Sequence, residues 1–269
     1  MYRPLRDQRI LLTGASSGIG WHLALQLAAS GARVVATARR ESRLIELASK
    51  SSSNSKTNSA ICYLAGDLTS APFRQQLIEY TVEQLGGLDI LINNAGAGAI
   101  GRFCDASPTR LRSIMEIDFF APVELTRLAV PHLQKGNRPA IMLIGSVLGH
   151  RAVPGKSEYC AAKFALRGWG EALRCELHPV GIDVIMLSPS TTQSEFFENL
   201  HDTSGKLKNK SLGSTPPATV AKIAKRALQR NSRDIILSAG GKSLVWASRF
   251  CPRILDRILW TYGQPDDPR

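Results

Sequence analysis

Short apolar runs alternate along the chain with segments whose apolar residues recur at helical spacing. Seven runs of four to six residues predict strands, and these are Ile10 to Thr13, Arg33 to Thr37, Ile61 to Leu64, Leu88 to Ile92, Ala140 to Ile144, Ile182 to Leu187 and Asp234 to Leu237. The clearest predicted helices between them are Trp21 to Ser30, Phe73 to Leu85 and Leu111 to Leu133. This alternation predicts an α/β fold, a doubly wound parallel sheet of the Rossmann type with helices on both faces. Ligands of such folds bind at the carboxyl ends of the strands.

The length of 269 residues suits one domain of this kind. We expect a core over about 9–237, a substrate loop over about 188–217 and a C-terminal helical extension over about 243–262. The substrate loop has no strong periodicity and follows a strand, so it is expected at the ligand-binding end. Ser49 to Ser59 contains no apolar residue and is expected to be a solvated loop after the second helix.

The segment TGASSGIG, Thr13 to Gly20, follows the first predicted strand and opens the first helix. Glycine permits a sharp turn and lets backbone N–H groups approach a pyrophosphate closely. The residues expected in these roles are Gly14, Gly18 and Gly20, with phosphate-binding hydroxyls from Ser16 and Ser17. The spacing GxxxGxG differs from the GxGxxG fingerprint, but its place between strand and helix indicates a dinucleotide site.

The end of the second predicted strand indicates which nicotinamide dinucleotide binds. A carboxylate there would bond the ribose 2′-hydroxyl and repel a 2′-phosphate. The chain has Arg39 and Arg40 instead, with no carboxylate before Glu41. Because a guanidinium is a permanently charged fork suited to phosphate, we expect NADP as the cofactor. The alternative is that both arginines simply face solvent.

Tyr159 and Lys163 lie four residues apart in the helical segment SEYCAAKFAL and therefore share one helix face. A tyrosine alone is a poor base, because its ordinary pKa is about 10. A neighbouring ammonium and an oxidised nicotinamide both favour the phenolate, so we expect a lower pKa for Tyr159. Ser146 follows the fifth predicted strand, where its hydroxyl can hold a substrate oxygen as charge develops. Together these residues predict proton exchange by Tyr159.

The motifs, taken in order, resemble the short-chain dehydrogenase/reductase family in its compact form. The matching segments are TGASSGIG, GDL at Gly66 to Leu68, NNAG at Asn93 to Gly96, Ser146, and YCAAK at Tyr159 to Lys163. The resemblance implies that Tyr159 is the acid/base, that Lys163 holds the ribose hydroxyls and that Ser146 orients the substrate. It also implies that Asp67 bonds the adenine and that Asn94 supports the sheet beside the cofactor. Further implied cofactor contacts are Ile19, Leu68, Ala95 and Gly96.

Two positions depart from the family pattern. Asp118 stands where the family usually has an asparagine of a water-linked proton relay to the lysine. Its backbone can keep part of that relay while its carboxylate adds a negative charge, so we expect a catalytic role with a retuned relay. Ser190 replaces the glycine of the family's Pro-Gly pair, which puts the local turn in doubt. Cofactor contacts are still expected from Pro189, from Thr192 facing the nicotinamide carboxamide, and from Ser194 in place of a threonine.

The formal net charge is +12, and residues 222–269 hold ten Lys and Arg against four Asp and Glu. No nucleic-acid module is recognisable, so the basicity indicates a solvated surface that attracts a phosphate-bearing cofactor, with a membrane-surface patch as the alternative. The five scattered cysteines lack metal-ligand spacing, which indicates reduced thiols and no metal site. No segment reads as a signal peptide or membrane span. We expect a cytoplasmic homo-oligomer, a dimer or tetramer, without a nucleic-acid partner.

The segment Leu244 to Trp260 lies beyond the family's minimal core. Apolar residues recur in it every four positions, with arginines between them, namely Trp246, Phe250, Ile254 and Ile258. Pro252 is expected to begin a second short helix. The leading interpretation is that this stripe packs on the domain or covers the substrate cleft. A subunit contact and a peripheral membrane contact are the alternatives.

The sequence as a whole predicts an NADP-dependent oxidoreductase that moves a hydride between nicotinamide and an apolar small-molecule carbonyl or alcohol. Its cleft is expected to be lined by residues after Gly96, by Val147 to Pro154 and by Thr191 to Leu212. Two other classes remain open. One is a catalytically weak NADP-binding regulator, for which Asp118 is the sequence support, and the other is a membrane-peripheral interaction protein.

Overall fold

A computed structural model describes residues 2–54, 61–192 and 214–260. Within these ranges seven strands form one sheet in the order β3-β2-β1-β4-β5-β6-β7, and every neighbouring pair is parallel. The strands are β1 (Arg9–Thr13), β2 (Arg33–Ala38), β3 (Cys62–Ala65), β4 (Ile90–Asn93), β5 (Ala140–Ile144), β6 (Asp183–Ser188) and β7 (Asp234–Ile236). All seven predicted strands are confirmed, with ends that differ by at most two residues.

Helices lie on both faces of this sheet, as predicted. They are α1 (Gly18–Ala28), α2 (Glu41–Asn54), α3 (Ala71–Leu85), α4 (Pro108–Met115), α5 (Ala121–Leu133), α6 (Ser157–Leu177), α7 (Pro217–Arg230), α8 (Ala239–Phe250) and α9 (Pro252–Trp260). Short 3-10 turns cover Phe103–Asp105, Val147–Gly149 and His178–Val180. The predicted helix from Leu111 to Leu133 is α4 and α5 joined by a π-helical turn, Glu116–Phe120.

Two apolar cores enclose the sheet, one on each face. Along β1 the side chains alternate, with Ile10 and Leu12 in the core beneath α1, α2 and α7 and Leu11 in the core beneath α3, α5 and α6. All three side chains are completely buried. A strand buried on both faces reads as a continuous apolar run, which is why central strands such as β1 were predictable.

The strand order reverses between β1 and β4, and this places the functional segments at one edge of the sheet. The glycine turn follows β1, the arginine pair follows β2, and Asp67 follows β3. The NNAG segment begins at Asn93, the last residue of β4, while Ser146 follows β5 and Pro189 follows β6. Since parallel strands end at the same edge, residues far apart in the sequence meet there.

The serine-rich segment after Lys50 corrects one sequence prediction. The expected loop from Ser49 to Ser59 is wrong over its first half, because α2 continues to Asn54, and positions 55–60 lie outside the described residues. Ser51 and Ser52 donate hydrogen bonds to the carbonyl of Ala48, so the hydroxyls bond within the helix rather than ending it. Ser51 is buried and also accepts a hydrogen bond from the N–H of Ile61.

The C-terminal extension has the predicted second helix, since α9 begins at Pro252. The prediction that the apolar residues spaced every four positions pack on the domain is wrong. These residues, Trp246, Phe250, Ile254 and Ile258, are all exposed. The buried side chains of α9 are Leu255 and Leu259, which lie on another face of the helix. Among the helices of the three described ranges, none has the length and apolar character needed to span a bilayer.

Candidate active site

The glycine turn after β1 leaves no room for side chains. Gly14 has a φ of +68°, and a Cβ there would lie 2.7 Å from the Cα of Ala95. A Cβ on Gly20 would lie 2.2 Å from the carbonyl oxygen of Gly14. Helix α1 begins at Gly18, so its first N–H groups face the same turn. This close-packed turn at a helix N-terminus has the form that a pyrophosphate site requires.

The NNAG segment is bonded directly to the glycine turn. Asn94 donates from its amide nitrogen to the carbonyls of Thr13 and Gly14, at 2.9 and 3.0 Å. The hydroxyl of Thr13 accepts hydrogen bonds from the backbone N–H groups of Asn94 and Ala95, both at 3.0 Å. Thr13 was not predicted as a site residue, although its hydroxyl ties the ends of β1 and β4 together.

Two arginines converge on Ser16 in the glycine turn. Arg40 donates to the Ser16 hydroxyl from Nε at 3.3 Å and from Nη2 at 3.1 Å. Arg43 donates from Nε to the Ser16 carbonyl at 3.2 Å and lies 4.7 Å from the ring centre of Trp21. Arg39 is exposed beside them. Arg43 was missed in the sequence, although its spacing of three from Arg40 at the start of α2 was a usable signal.

The remaining predicted cofactor residues lie along the same edge. Asp67 is exposed after β3 and accepts a hydrogen bond from the N–H of Thr69, while Leu68 is buried. Ile19 packs against the core beneath α1, and Ser17 precedes α1 as its N-cap residue.

The turn after β6 is intact without the family's glycine. The carbonyl of Pro189 accepts from Val147, and the φ of Ser190 is not positive, so serine fits there without strain. Thr192 forms an isolated bridge with Thr215. Ser194, and most of the expected cleft segment from Thr191 to Leu212, lie outside the described residues.

Ser146, Tyr159 and Lys163 are brought together at the carboxyl end of β5. The Ser146 side chain forms a hydrogen bond with Tyr159, and its oxygen also accepts from the N–H of Leu148 at 3.1 Å. Lys163 Nζ lies 5.5 Å from the centre of the Tyr159 ring. The expectation that Tyr159 and Lys163 share one face of α6 therefore agrees with their geometry.

Asp118 lies at the base of this cluster, in the π-helical turn between α4 and α5. Its Oδ1 accepts a hydrogen bond of 2.9 Å from the N–H of Ala97 and lies 3.6 Å from Lys163 Nζ. Both side chains are buried, at 0% exposure for Asp118 and 5% for Lys163. A Cβ on Gly96 would lie 2.5 Å from Asp118 Oδ1, so glycine is needed for this approach. A π-helical turn at such a place is typical of functional sites.

Burial and charge set the protonation of Tyr159. Burial and then the negative charge of Asp118 raise the pKa of Tyr159 well above its ordinary value, while the hydrogen bond with Ser146 opposes the rise. This upward shift of the Tyr159 pKa is opposite to the lowering that was expected from Lys163 alone. The reason is that desolvation disfavours the phenolate and that Asp118 offsets the lysine charge. The group is therefore held as a phenol.

A buried ion pair beside Tyr159 was not visible in the sequence. Arg110 on α4 donates from Nε and Nη2 to Oε1 of Glu158, at 3.0 and 2.7 Å. Its Nη2 also donates to the carbonyl of Arg102, in the segment after β4. This pair joins the start of α6 to α4, and through Arg102 to the segment after β4. Because Glu158 directly precedes Tyr159, the same contacts help to position Tyr159. The partners are 48 residues apart in the sequence, so no local pattern could predict their contact.

Comparisons with known proteins agree with this geometry. A family model described as short chain dehydrogenase matches residues 8–205. A Bacillus subtilis protein named uncharacterized oxidoreductase YxnA is 31% identical over 261 residues, covering 96% of this chain and 72% of that protein. An Arabidopsis thaliana protein named 11-beta-hydroxysteroid dehydrogenase-like 4A is 31% identical over 251 residues, covering 91% of this chain and 81% of that protein.

Among solved structures, a short chain dehydrogenase/reductase from Burkholderia phymatum in complex with NAD has the same fold. It superimposes with a TM-score of 0.83 and 19% identity, covering 99% of both chains. The family model covers well over half of the chain, and the matched motifs meet in one site. The chain therefore belongs to the short-chain dehydrogenases, a family of oxidoreductases.

Proposed function

We propose that this protein is an NADP-dependent oxidoreductase that transfers a hydride between nicotinamide and a carbonyl or alcohol substrate. The observation that carries the proposal is the meeting of Ser146, Tyr159 and Lys163 beside the close-packed glycine turn. A carbonyl reduction needs a proton donor at the substrate oxygen and a dinucleotide site next to it. The carboxyl edge of this sheet offers both.

The choice of NADP over NAD rests on charge at the glycine turn. Arg40 and Arg43 both bond Ser16, and exposed Arg39 precedes them. With the pyrophosphate in this turn, these guanidinium groups would be available to bind a 2′-phosphate on the adenosine ribose. The related Burkholderia structure holds NAD. The support for NADP therefore comes from this chain's own arginines.

Each residue of the site has a distinct role in the proposed reaction. A nicotinamide held at this edge of the sheet would supply or accept the hydride. In the direction of reduction, the Tyr159 hydroxyl gives its proton to the substrate oxygen as negative charge develops there. Ser146 would donate a hydrogen bond to the same oxygen, and Lys163 would hold the ribose hydroxyls of the bound cofactor and supply positive charge near the phenol. The raised pKa of Tyr159 suits this acid role, because the group keeps its proton until the substrate takes it.

We propose an apolar small-molecule substrate. Residues next to the site are apolar and buried, including Ala97 and Ile100 after β4 and Val147 after β5. The Arabidopsis relative is named for hydroxysteroid dehydrogenation. An apolar carbonyl of steroid or lipid type agrees with both observations.

We also propose a cytoplasmic homo-oligomer, a dimer or tetramer. The five cysteines are free, which suits a reducing compartment. Phe120 in the π-helical turn and Phe164 on α6 are exposed apolar side chains that a second subunit would cover. Sedimentation velocity of the wild type and of Phe120→Ser tests the oligomer, since a monomeric wild type would contradict it.

A panel of apolar ketones, aldehydes and alcohols, followed by NADPH and NADH absorbance, tests the proposed function. We expect NADPH-dependent reduction of at least one carbonyl and slower turnover with NADH. NADPH binding without turnover of any panel member would instead favour the rival function, a cofactor-binding regulator.

A further inference from the structure

Helices α8 and α9 present an apolar surface to solvent. The exposed fractions are 63% for Trp246, 70% for Phe250, 64% for Ile254, 52% for Ile258 and 66% for Trp260. Trp246 and Phe250 are four residues apart and their rings stack, with 5.3 Å between the centroids. Large apolar side chains grouped in this way are uncommon on a surface that meets only water.

Basic side chains lie among these apolar ones. Lys242, Arg249, Arg253 and Arg257 are all exposed on the same two helices. The acidic residue of α8 and α9 is Asp256, which forms an ion pair with Arg151 outside them. Lys242, Trp246 and Phe250 follow one another at four-residue spacing, so cation and aromatic rings share a helix face. We call the apolar and basic side chains of α8 and α9 together the basic apolar surface.

The two helices are fixed to the domain by their other faces. Leu255 and Leu259 are buried, and the ion pair of Arg151 with Asp256 ties α9 to the segment after Ser146. At the start of α8, Gly241 packs so closely that a Cβ there would lie 2.9 Å from Val147 Cγ1. The surface is therefore held outward by ordered contacts and is not a loose tail.

We propose that the basic apolar surface docks on the anionic face of a lipid bilayer. Aromatic and aliphatic side chains enter the boundary between headgroups and acyl chains, while arginines and lysine bind anionic headgroups. A second copy of this chain is a poorer partner, because an isologous contact would bring two sets of like charges together.

Vesicle flotation of the full-length chain tests the proposal without any need for turnover. The vesicles are phosphatidylcholine alone or phosphatidylcholine with phosphatidylserine, at low and high salt. We expect the wild type to float with the anionic vesicles, less so at high salt because the charges are screened. Arg253→Gln with Arg257→Gln should weaken partition about 25-fold, at about fivefold for each basic side chain near an anionic surface. Trp246→Ser with Phe250→Ser should weaken it at least about tenfold.

Two matched controls separate this surface from general effects. Lys222→Gln with Arg226→Gln removes the same charge from exposed positions of α7, and Ile45→Ser removes an exposed apolar side chain from α2. Both should float as the wild type does, and NADPH binding by every variant shows that it is folded. The proposal is overturned if the wild type does not float with anionic vesicles, or if the α7 control loses as much binding as the α9 variant. It is also overturned if Trp246→Ser with Phe250→Ser only dissociates a dimer.

Discussion

The carboxylate of Asp118 lies 3.6 Å from the ammonium of Lys163, and both groups are buried next to the Tyr159 phenol. The carboxylate offsets the positive charge that would otherwise favour the phenolate, and it raises the pKa of Tyr159, after burial, which is the larger cause. Burial and the Asp118 charge together keep Tyr159 as a phenol and make the phenolate form harder to reach.

Asp118→Asn should move the pH dependence of alcohol oxidation. Oxidation needs the phenolate, so its rate rises as pH approaches the pKa of Tyr159 from below. Removing the negative charge lowers that pKa, and the rising limb should shift to lower pH by about one unit. A pH–rate profile of kcat measures the shift. Glu116→Gln is the control, since it neutralises a carboxylate of the same π-helical turn that is 40% exposed, and its limb should stay in place. A shift of the Asp118→Asn limb to higher pH would contradict the electrostatic argument.

Gly96→Ala should impair catalysis more than stability. The added Cβ would lie 2.5 Å from Asp118 Oδ1 and 3.4 Å from Lys163 Nζ, so the ion pair must move. We expect kcat to fall at least about tenfold, because small displacements of catalytic groups are costly. Gly168→Ala is the matched control, since a Cβ there meets nothing within 4 Å. That control should keep full activity and gain about 0.5–1 kcal/mol of stability from helix propensity. Equal kcat values for the two variants would contradict the prediction.

Arg40→Ala with Arg43→Ala should reverse or erase the preference for NADPH. Each lost charge-assisted bond to the 2′-phosphate is worth about 1.5–3 kcal/mol, so NADPH affinity should fall at least about tenfold for each arginine. NADH affinity should change less than about threefold. Fluorescence titration with both cofactors measures the difference, and Arg33→Ala on the exposed start of β2 serves as control. Equal affinities of the wild type for NADPH and NADH would reject the assignment of NADP.

Arg110→Met should destabilise the fold strongly, because it leaves the Glu158 carboxylate buried without its partner. Breaking a buried pair in this way costs about 3–5 kcal/mol, and replacing both partners by apolar residues costs less. Urea denaturation of Arg110→Met and of Arg110→Met with Glu158→Leu measures both. Arg127→Met is the control, since its pair with Glu124 is exposed and worth less than about 1 kcal/mol. A loss in Arg110→Met no larger than in the control would show that the buried pair is not stabilising.

The same pair predicts how stability changes with acid. Burial opposes the charge of Glu158, but hydrogen bonds from Arg110, the backbone and Ser157 outweigh it and lower the pKa of the carboxyl. A lowered folded-state pKa contributes stability above the unfolded value of about 4.3, and this contribution is lost as pH falls through the folded value. Glu158→Gln removes the titrating group, so its free energy of unfolding should fall less steeply than that of the wild type below about pH 4. Parallel curves would contradict the assignment.

The sequence predicted those parts of the molecule that depend on local pattern. The five central strands, β1, β2, β4, β5 and β6, are almost entirely buried and appear as apolar runs. The glycine turn and the Tyr159–Lys163 spacing are local patterns as well. The extension of α2 was missed because its serines, such as Ser51, bond within the helix and carry no apolar periodicity. The apolar stripe of α8 and α9 was predicted to pack on the domain but is exposed. Tertiary contacts of Leu255 and Leu259 decide which face of α9 is buried, and the spacing alone does not show them. The pKa of Tyr159 could not be read from Lys163 alone, since burial and Asp118 come from the fold.

Single-turnover reduction of an active carbonyl from the panel by wild type, Tyr159→Phe and Tyr80→Phe tests the proposed function most directly. Tyr80 lies on α3 and is the matched loss of a phenol hydroxyl away from the site. A general acid contributes about 10²–10⁴ in rate, so Tyr159→Phe should lose at least about a hundredfold in the rate of NADPH oxidation while binding NADPH within about twofold of wild type. Tyr80→Phe should react as the wild type does. If Tyr159→Phe keeps more than about a tenth of the wild-type rate, another group transfers the proton and the account is wrong.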